Sequence, residues 1–197
     1  PILLAVVPRM PGHGTVPAAL TAAHWEQWLA ATRLAVREAR RQVPDGPLYL
    51  VGYSNGGALA LRYSLAALED EQLAMPQRLV LISPMIGVTS YARYAGLAAL
   101  PAVLPAFAKS AWVSVLPEFN PFKYNSFPVN GARQSWRLTR ALQALVAAGR
   151  RPGTQIILDV DGSNEQTVLA LGGLYNVIKG GGGADVIHGG ADGDFIE

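Results

Sequence analysis

Gly52-Tyr53-Ser54-Asn55-Gly56 stands between the apolar run Leu48-Tyr49-Leu50-Val51 and the helix-like Ala58-Leu59-Ala60-Leu61-Arg62-Tyr63. A G-x-S-x-G pattern with a strand before it and a helix after it reads as a nucleophile elbow. The backbone at such a serine is strained, so its neighbours must be small, and the two glycines, Gly52 and Gly56, let strand and helix approach closely. The turn should hold the Ser54 hydroxyl clear of the sheet, above a helix N-terminus whose free N–H groups and dipole favour developing negative charge. Acyl transfer is the chemistry this serves, with Ser54 as nucleophile and the Asn55 backbone N–H as one oxyanion donor. The plain alternative is a Gly-rich strand-to-helix turn in which Ser54 only caps the helix.

Outward from the elbow, the chain alternates. Residues 2–7, Ile-Leu-Leu-Ala-Val-Val, read as a strand that ends in the turn-rich loop Pro8-Arg9-Met10-Pro11-Gly12-His13-Gly14-Thr15. From Thr21, Trp25, Trp28, Leu29, Thr32, Val36 and Ala39 fall at three- and four-residue steps, the spacing of a helix face. Pro44-Asp45-Gly46-Pro47 stops that helix. After the elbow come a helix over about 57–69 and a buried-type strand, Arg78-Leu79-Val80-Leu81-Ile82-Ser83. Strand, helix, strand, helix, strand predicts α/β architecture, a parallel sheet with helices on its faces. Residues 87–149 show no clear strand and end in a helix over about 132–148. The apolar stretch 94–108 is shorter than the about 20 residues needed to span a bilayer, and Pro101 and Pro105 interrupt it. It reads as a lid or cap segment, not a transmembrane span.

The charge divides the 197 residues in two. Through Pro152 there are 15 Lys and Arg against 7 Asp and Glu, whereas the remainder holds one lysine against seven acids. The near-neutral total of +2 thus hides an acidic tail behind a basic body. The basic residues are scattered and not interleaved with aromatics, which argues against nucleic acid as a partner. No cysteine is present, which excludes disulfides, thiolate nucleophiles and Cys-ligated zinc. No charged leader precedes the first apolar stretch, and the true N-terminus is expected to lie before Pro1.

Together, the Pro11-Gly12-His13-Gly14 loop, the Gly52–Gly56 elbow and Leu81-Ile82-Ser83-Pro84 resemble the α/β-hydrolase superfamily, in particular its lipase, esterase and serine-aminopeptidase-like members. The resemblance covers about residues 1–150 and only the middle of that fold. It implies a partial hydrolase sheet in a domain over 1–152, with a helical cap inserted at about 88–149. The earlier strands and one oxyanion-donating loop would precede Pro1. It further implies a small-molecule ester or lipid substrate with an apolar acyl part, and the chain order nucleophile, acid, base. His188 is the one histidine after Ser54; His13 fits the Gly-His-Gly loop that the family uses structurally, and His24 sits at a helix start. For the acid, Ile156-Ile157-Leu158-Asp159-Val160-Asp161-Gly162 reads as a strand ending in aspartate, Asp161 being preferred over Asp159. That segment can equally begin the repeat region, and His188 can equally be a solvent-facing repeat residue.

The tail has period nine. Asn176, Asp185 and Asp194 are nine apart, as are Val160, Leu169, Ile178, Ile187 and Ile196. Gly180-Gly181-Gly182-Gly183-Ala184-Asp185-Val186-Ile187-His188 satisfies G-G-x-G-x-D-x-U-x throughout, and residues 189–197 do so with one change. This resembles the calcium-binding RTX β-roll, over about 160–197 of a tail domain at 153–197. The resemblance implies Ca2+ held by turn carbonyls and by Asn176, Asp185 and Asp194, and an extracellular, secreted bacterial protein. Two functional readings follow: a serine esterase or lipase with a calcium-binding tail, or a non-catalytic calcium-binding structural or secretion module carrying a degenerate hydrolase body.

Overall fold

In chain order the strands are β1 (Tyr49–Tyr53), β2 (Arg78–Ile82), β3 (Trp112–Ser114), β4 (Phe127–Pro128), β5 (Gln155–Val160), β6 (Thr167–Leu169), β7 (Val177–Gly180), β8 (Val186–His188) and β9 (Phe195–Ile196). The long helices are α1 (Trp25–Gln42), α2 (Asn55–Ala67) and α3 (Val129–Ala147). The structure, a computed structural model, describes residues 3–86, 105–120, 124–152, 154–160, 167–169, 177–180, 186–188 and 195–196. The chain divides into two compact units.

The first unit comprises Pro1–Val7, Thr32–Gly87 and Thr139–Glu197. Its centre is a five-stranded parallel sheet in the order β1-β2-β5-β7-β9. Parallel neighbours need a crossover, and α2 supplies the one between β1 and β2. The Val/Ile/Leu character of Arg78-Leu79-Val80-Leu81-Ile82 suits a strand covered on its faces; Leu79 and Leu81 are essentially sealed. Against them α2 buries Ala58, Leu59, Leu61, Tyr63 and Leu65, so it is apolar round most of its circumference. The Tyr63 hydroxyl donates to Ala74 O at 3.0 Å, which satisfies the polar tip of this buried ring. On β1 the alternate residues Tyr49, Val51 and Tyr53 are exposed. Register aligns Tyr53 with Ile82, Ile82 with Asp159, and Asp159 with Lys179. A second sheet pairs β6 with β8, also parallel.

The second unit comprises Pro8–Ala31 and Val88–Leu138. A 3₁₀ turn, Pro17–Thr21, starts with proline, whose missing N–H costs nothing there. Asn130 Nδ2 donates to Leu20 O (2.9 Å) and Ala23 O (2.8 Å), and Gln134 Nε2 donates to Asn130 Oδ1 (3.1 Å). Gln134 Oε1 in turn accepts the Trp25 N–H at 3.3 Å. A glutamine 1% exposed is tolerated because both ends of its amide are paired. β3 and β4 pair antiparallel.

The parallel sheet between α/β crossovers is as expected, and four particulars differ. Residues 3–7 form no strand: Leu3 is 86% and Val7 89% exposed, and among the described residues no neighbouring strand offers them a ladder, without which an apolar run has no reason to stay extended. α1 begins at Trp25, not Thr21, because the 3₁₀ turn uses the earlier residues and Gln27 Oε1 accepts the His24 N–H at 2.9 Å, half of a capping box. The insertion does contain strands, the short pair β3 and β4. α3 begins at Val129, immediately after Pro128. It ends in a Schellman motif, with Gly149 at φ 80°, its N–H on Val146 O and the Arg150 N–H on Leu145 O. The expected lid stretch lies for the most part outside the described residues, as do most of the repeat turns. Among the described residues no helix is long and apolar enough to cross a membrane.

Candidate active site

β1 passes into α2 through a single residue. Ser54 takes φ 51°, ψ −118°, a conformation that costs a non-glycine residue about 1–3 kcal/mol unless its surroundings enforce it. Three backbone hydrogen bonds enforce it. The Ser54 N–H donates to Ile82 O at 3.0 Å, and Ser54 O accepts from the Gly57 N–H at 3.0 Å and the Met85 N–H at 2.9 Å. Both faces of the residue are thereby tied to β2 and the turn after it. The side chain is partly exposed and, although Ser54 stands at the N-cap position of α2, it makes no capping bond to the helix. A capping serine would have extended backbone and its hydroxyl oxygen would accept a backbone N–H of the first turn; Ser54 does neither.

Two glycines permit the bend, and they are not the pair the pattern names. A Cβ on Gly52 would lie 2.5 Å from Gly56 O and 2.6 Å from Gly57 N. A Cβ on Gly57 would lie 2.6 Å from Pro84 Cβ. On Gly56 it would meet nothing within 4 Å. Close approach therefore rests on Gly52 and Gly57. The Gly56-Gly57 doublet was visible in the sequence, but the obstacle, Pro84, arrives from the far end of β2.

Asn55 is the first residue of α2, where the helix itself gives a backbone N–H no acceptor. Its Oδ1 is buried and without a hydrogen-bond partner among the described residues. Ser83, not singled out from the sequence, also has positive φ, at 40°. It leaves β2 beside Ser54, since Tyr53 and Ile82 are in register. Asp159 of β5 stands level with both, two strands from β1, roughly 10 Å across the sheet at the usual interstrand spacing. The C-terminal edge of a parallel sheet is where ligands bind in open α/β folds.

Of the remaining expected residues, Asp161, Asn176, Asp185 and Asp194 lie outside the described residues. His188 is in β8, opposite Leu169 of β6, in the sheet that does not contain Ser54. His13 belongs to the second unit: its Nδ1–H donates to Pro11 O at 3.2 Å, and its ring stacks on Tyr124 and meets the edge of Trp28. Tyr124 Oη accepts the Thr15 N–H at 2.8 Å, fixing the same loop. His24 is exposed at the start of α1. Among the described residues no group of three His, Cys, Asp or Glu could hold a metal ion.

Residues 10–146, most of the chain and including the elbow, match Hydrolase_4, the serine aminopeptidase S33 family. The chain belongs to this family. The S33 match and the parallel sheet together make it an α/β hydrolase in fold. It is similar to a solved structure from LipS and LipT, two metagenome-derived lipolytic enzymes, with TM-score 0.57 and 20% identity over 76% of this chain and 58% of that one. It is also similar to the monoacylglycerol lipase of Paleococcus ferrophilus, with TM-score 0.43 and 12% identity over 77% of this chain and 54% of that one. This S33 chain thus spans a little over half the length of these proteins. No curated protein matches it.

Proposed function

We propose that this S33-family chain is a serine hydrolase of carboxylic esters with an apolar acyl part, joined to a calcium-binding tail of the RTX type. The observation that carries the catalytic half is the Ser54 backbone, at φ 51° and ψ −118° between a parallel strand and a helix N-terminus. The lipolytic description of the relative sharing the fold supports an ester or lipid as substrate. In this mechanism Ser54 Oγ attacks the ester carbonyl as a base accepts its proton. The Asn55 N–H and the α2 N-terminus stabilise the oxyanion, and the alcohol leaves with a returned proton. Water then releases the acid from the acyl-serine. Asp161 and His188 are the acid and base assigned from chain order. Fluorophosphonate labelling compared between the chain and Ser54→Ala tests the site; equal labelling of both rejects it.

The tail assignment is supported by strand alternation: β5, β7 and β9 join one sheet and β6 and β8 the other, with Val177 opposite Phe195, eighteen residues or two nonapeptides on. Asn176, Asp185 and Asp194 offer hard oxygen donors of the kind Ca2+ prefers. When bound, the ion would offset repulsion among the tail's acids. Secretion is proposed from the same resemblance. One observation favours the second reading, a non-catalytic calcium-binding module with a degenerate body: His188 lies in the two-stranded β6–β8 sheet and not in the sheet whose strand leads into Ser54. A p-nitrophenyl ester assay with calcium varied separates the two.

A further inference from the structure

Ser83 follows β2 at the point where its ladder to β1 changes. In the parallel register Tyr53 stands opposite Ile82, which sets Ser54 opposite Ser83. The Ser54 N–H donates to Ile82 O at 3.0 Å, as a regular parallel ladder requires. The next regular bond, onto Ser54 O, would come from the N–H of residue 84, but that residue is proline and has none. The donor is instead Met85, one residue further on, at 2.9 Å. The chain reaches it by turning at Ser83, whose φ is 40°. Ser83 and Pro84 together therefore take the place of one residue opposite Ser54, which is the form of a β-bulge.

Pro84 also bears on the other side of the elbow. A Cβ on Gly57 would lie 2.6 Å from Pro84 Cβ and 3.0 Å from its Cα, so the proline packs directly against the first turn of α2. The Gly57 N–H shares the Ser54 carbonyl with Met85, at 3.0 Å. One bulge thus grips both halves of the site: Ser54 through Ile82 and Met85, and the helix turn that carries the Asn55 N–H through Pro84. Serine can be held at a φ of 40° at a cost of about 1–3 kcal/mol, whereas a β-branched residue there is a conformational outlier. We propose that the Ser83–Pro84 bulge is the aiming device of the elbow, with Ser83 a positioning residue that fixes Ser54 relative to the Asn55 N–H. This role rests on the ester-hydrolase reading of Ser54, and it is exerted through backbone geometry, not through the Ser83 hydroxyl.

The test compares steady-state hydrolysis of a p-nitrophenyl ester by the whole chain and by variants at position 83. Ser83→Thr keeps the hydroxyl but resists positive φ; it should lower kcat about ten- to a hundredfold at nearly unchanged KM, as a displaced nucleophile would. Ser83→Ala and Ser83→Gly hold or ease the turn and should keep kcat within about threefold of the parent. A loss in Ser83→Ala equal to that in Ser83→Thr would overturn the proposal by showing that the hydroxyl acts, as would an unchanged kcat in Ser83→Thr. Amide exchange at Ser54 and Met85 reads the same device without turnover. Protection should fall in Ser83→Thr and persist in Ser83→Gly, and equal protection in every variant overturns the proposal. A parent without Ser54-dependent fluorophosphonate labelling would instead reject the esterase reading, and the exchange result alone would then decide the bulge. Should Ser83→Thr fail to fold, Pro84→Ala supplies the missing N–H and lets the regular ladder bond compete with that of Met85. It should likewise lower kcat and Met85 protection; no change in either overturns the proposal.

Discussion

Ser54 and Ser83 leave adjacent parallel strands side by side, and both do so with positive φ, 51° and 40°. They are the only non-glycine residues with positive φ among those described. The strain at Ser54 is maintained by bonds to Ile82 and Met85, on either side of Ser83, so the second strand and its turn act as the jig for the first. Replacing Ser54 by glycine should relieve the strain. We expect Ser54→Gly to abolish the proposed ester hydrolysis while raising stability by up to about 1 kcal/mol, partly offset by the freer unfolded chain. Ser54→Ala should abolish hydrolysis and leave stability within about 0.5 kcal/mol, since alanine inherits the same φ. Urea melts of the two variants decide this; a glycine variant less stable than the alanine variant would contradict a strained elbow.

The three glycines around the bend should respond differently. Gly52→Ala and Gly57→Ala each place a methyl within 2.6 Å of fixed atoms and should cost about 1–3 kcal/mol through forced displacement of α2 or Pro84. Gly56→Ala fills open space in the first turn of a helix and should be neutral or stabilising by up to about 1 kcal/mol. Melting temperatures of the three single variants check the order, and a loss at Gly56 as large as at Gly57 would refute it.

Glu118 should make one loop pH-sensitive. Its carboxylate accepts the backbone N–H groups of Asn125 (2.8 Å) and Ser126 (2.7 Å), which, with the Ser126 hydroxyl, hold its pKa below the ordinary glutamate value despite an opposing desolvation effect. A pKa depressed on folding means that the stabilisation is fully present above the unfolded value and is lost as pH falls through the folded one. Amide exchange at Asn125 and Ser126 should therefore be more protected in the parent than in Glu118→Gln at neutral pH, with the difference vanishing in acid. Equal protection at neutral pH would show that the carboxylate does not fasten the loop.

The proposed calcium dependence of the tail predicts a local effect. Chelation should strip exchange protection from Val177–Gly180 and Val186–His188 and alter the circular dichroism, while Tyr49–Tyr53 and Arg78–Ile82 keep theirs. Identical spectra and exchange with and without chelator would remove calcium from the tail's function.

Much of the fold was legible because periodicity reports burial. The Leu79-Val80-Leu81 run and the i, i+3, i+4 spacing around Trp25, Trp28 and Leu29 each predicted the right element type, since a strand or helix must turn an apolar face to the core. Boundaries were less legible where caps decide them. Gln27 reaching back to His24 and Pro128 preceding Val129 are local devices that periodicity does not register. Residues 3–7 show the limit of an apolar run: with no neighbouring strand among the described residues, it carries strand composition and no strand.

By itself, the order of residues determined that a serine would sit where a strand turns into a helix, because small neighbours, an apolar run and a helical run in that sequence leave little else. Which glycines the bend requires, and that Ser83 shares its strain, were decided only in three dimensions. Each depends on an atom brought from a distant part of the chain, Pro84 against Gly57 or the Ile82 carbonyl against the Ser54 N–H. Steric exclusion and hydrogen bonding between strands act across space, and neither leaves a period in the sequence.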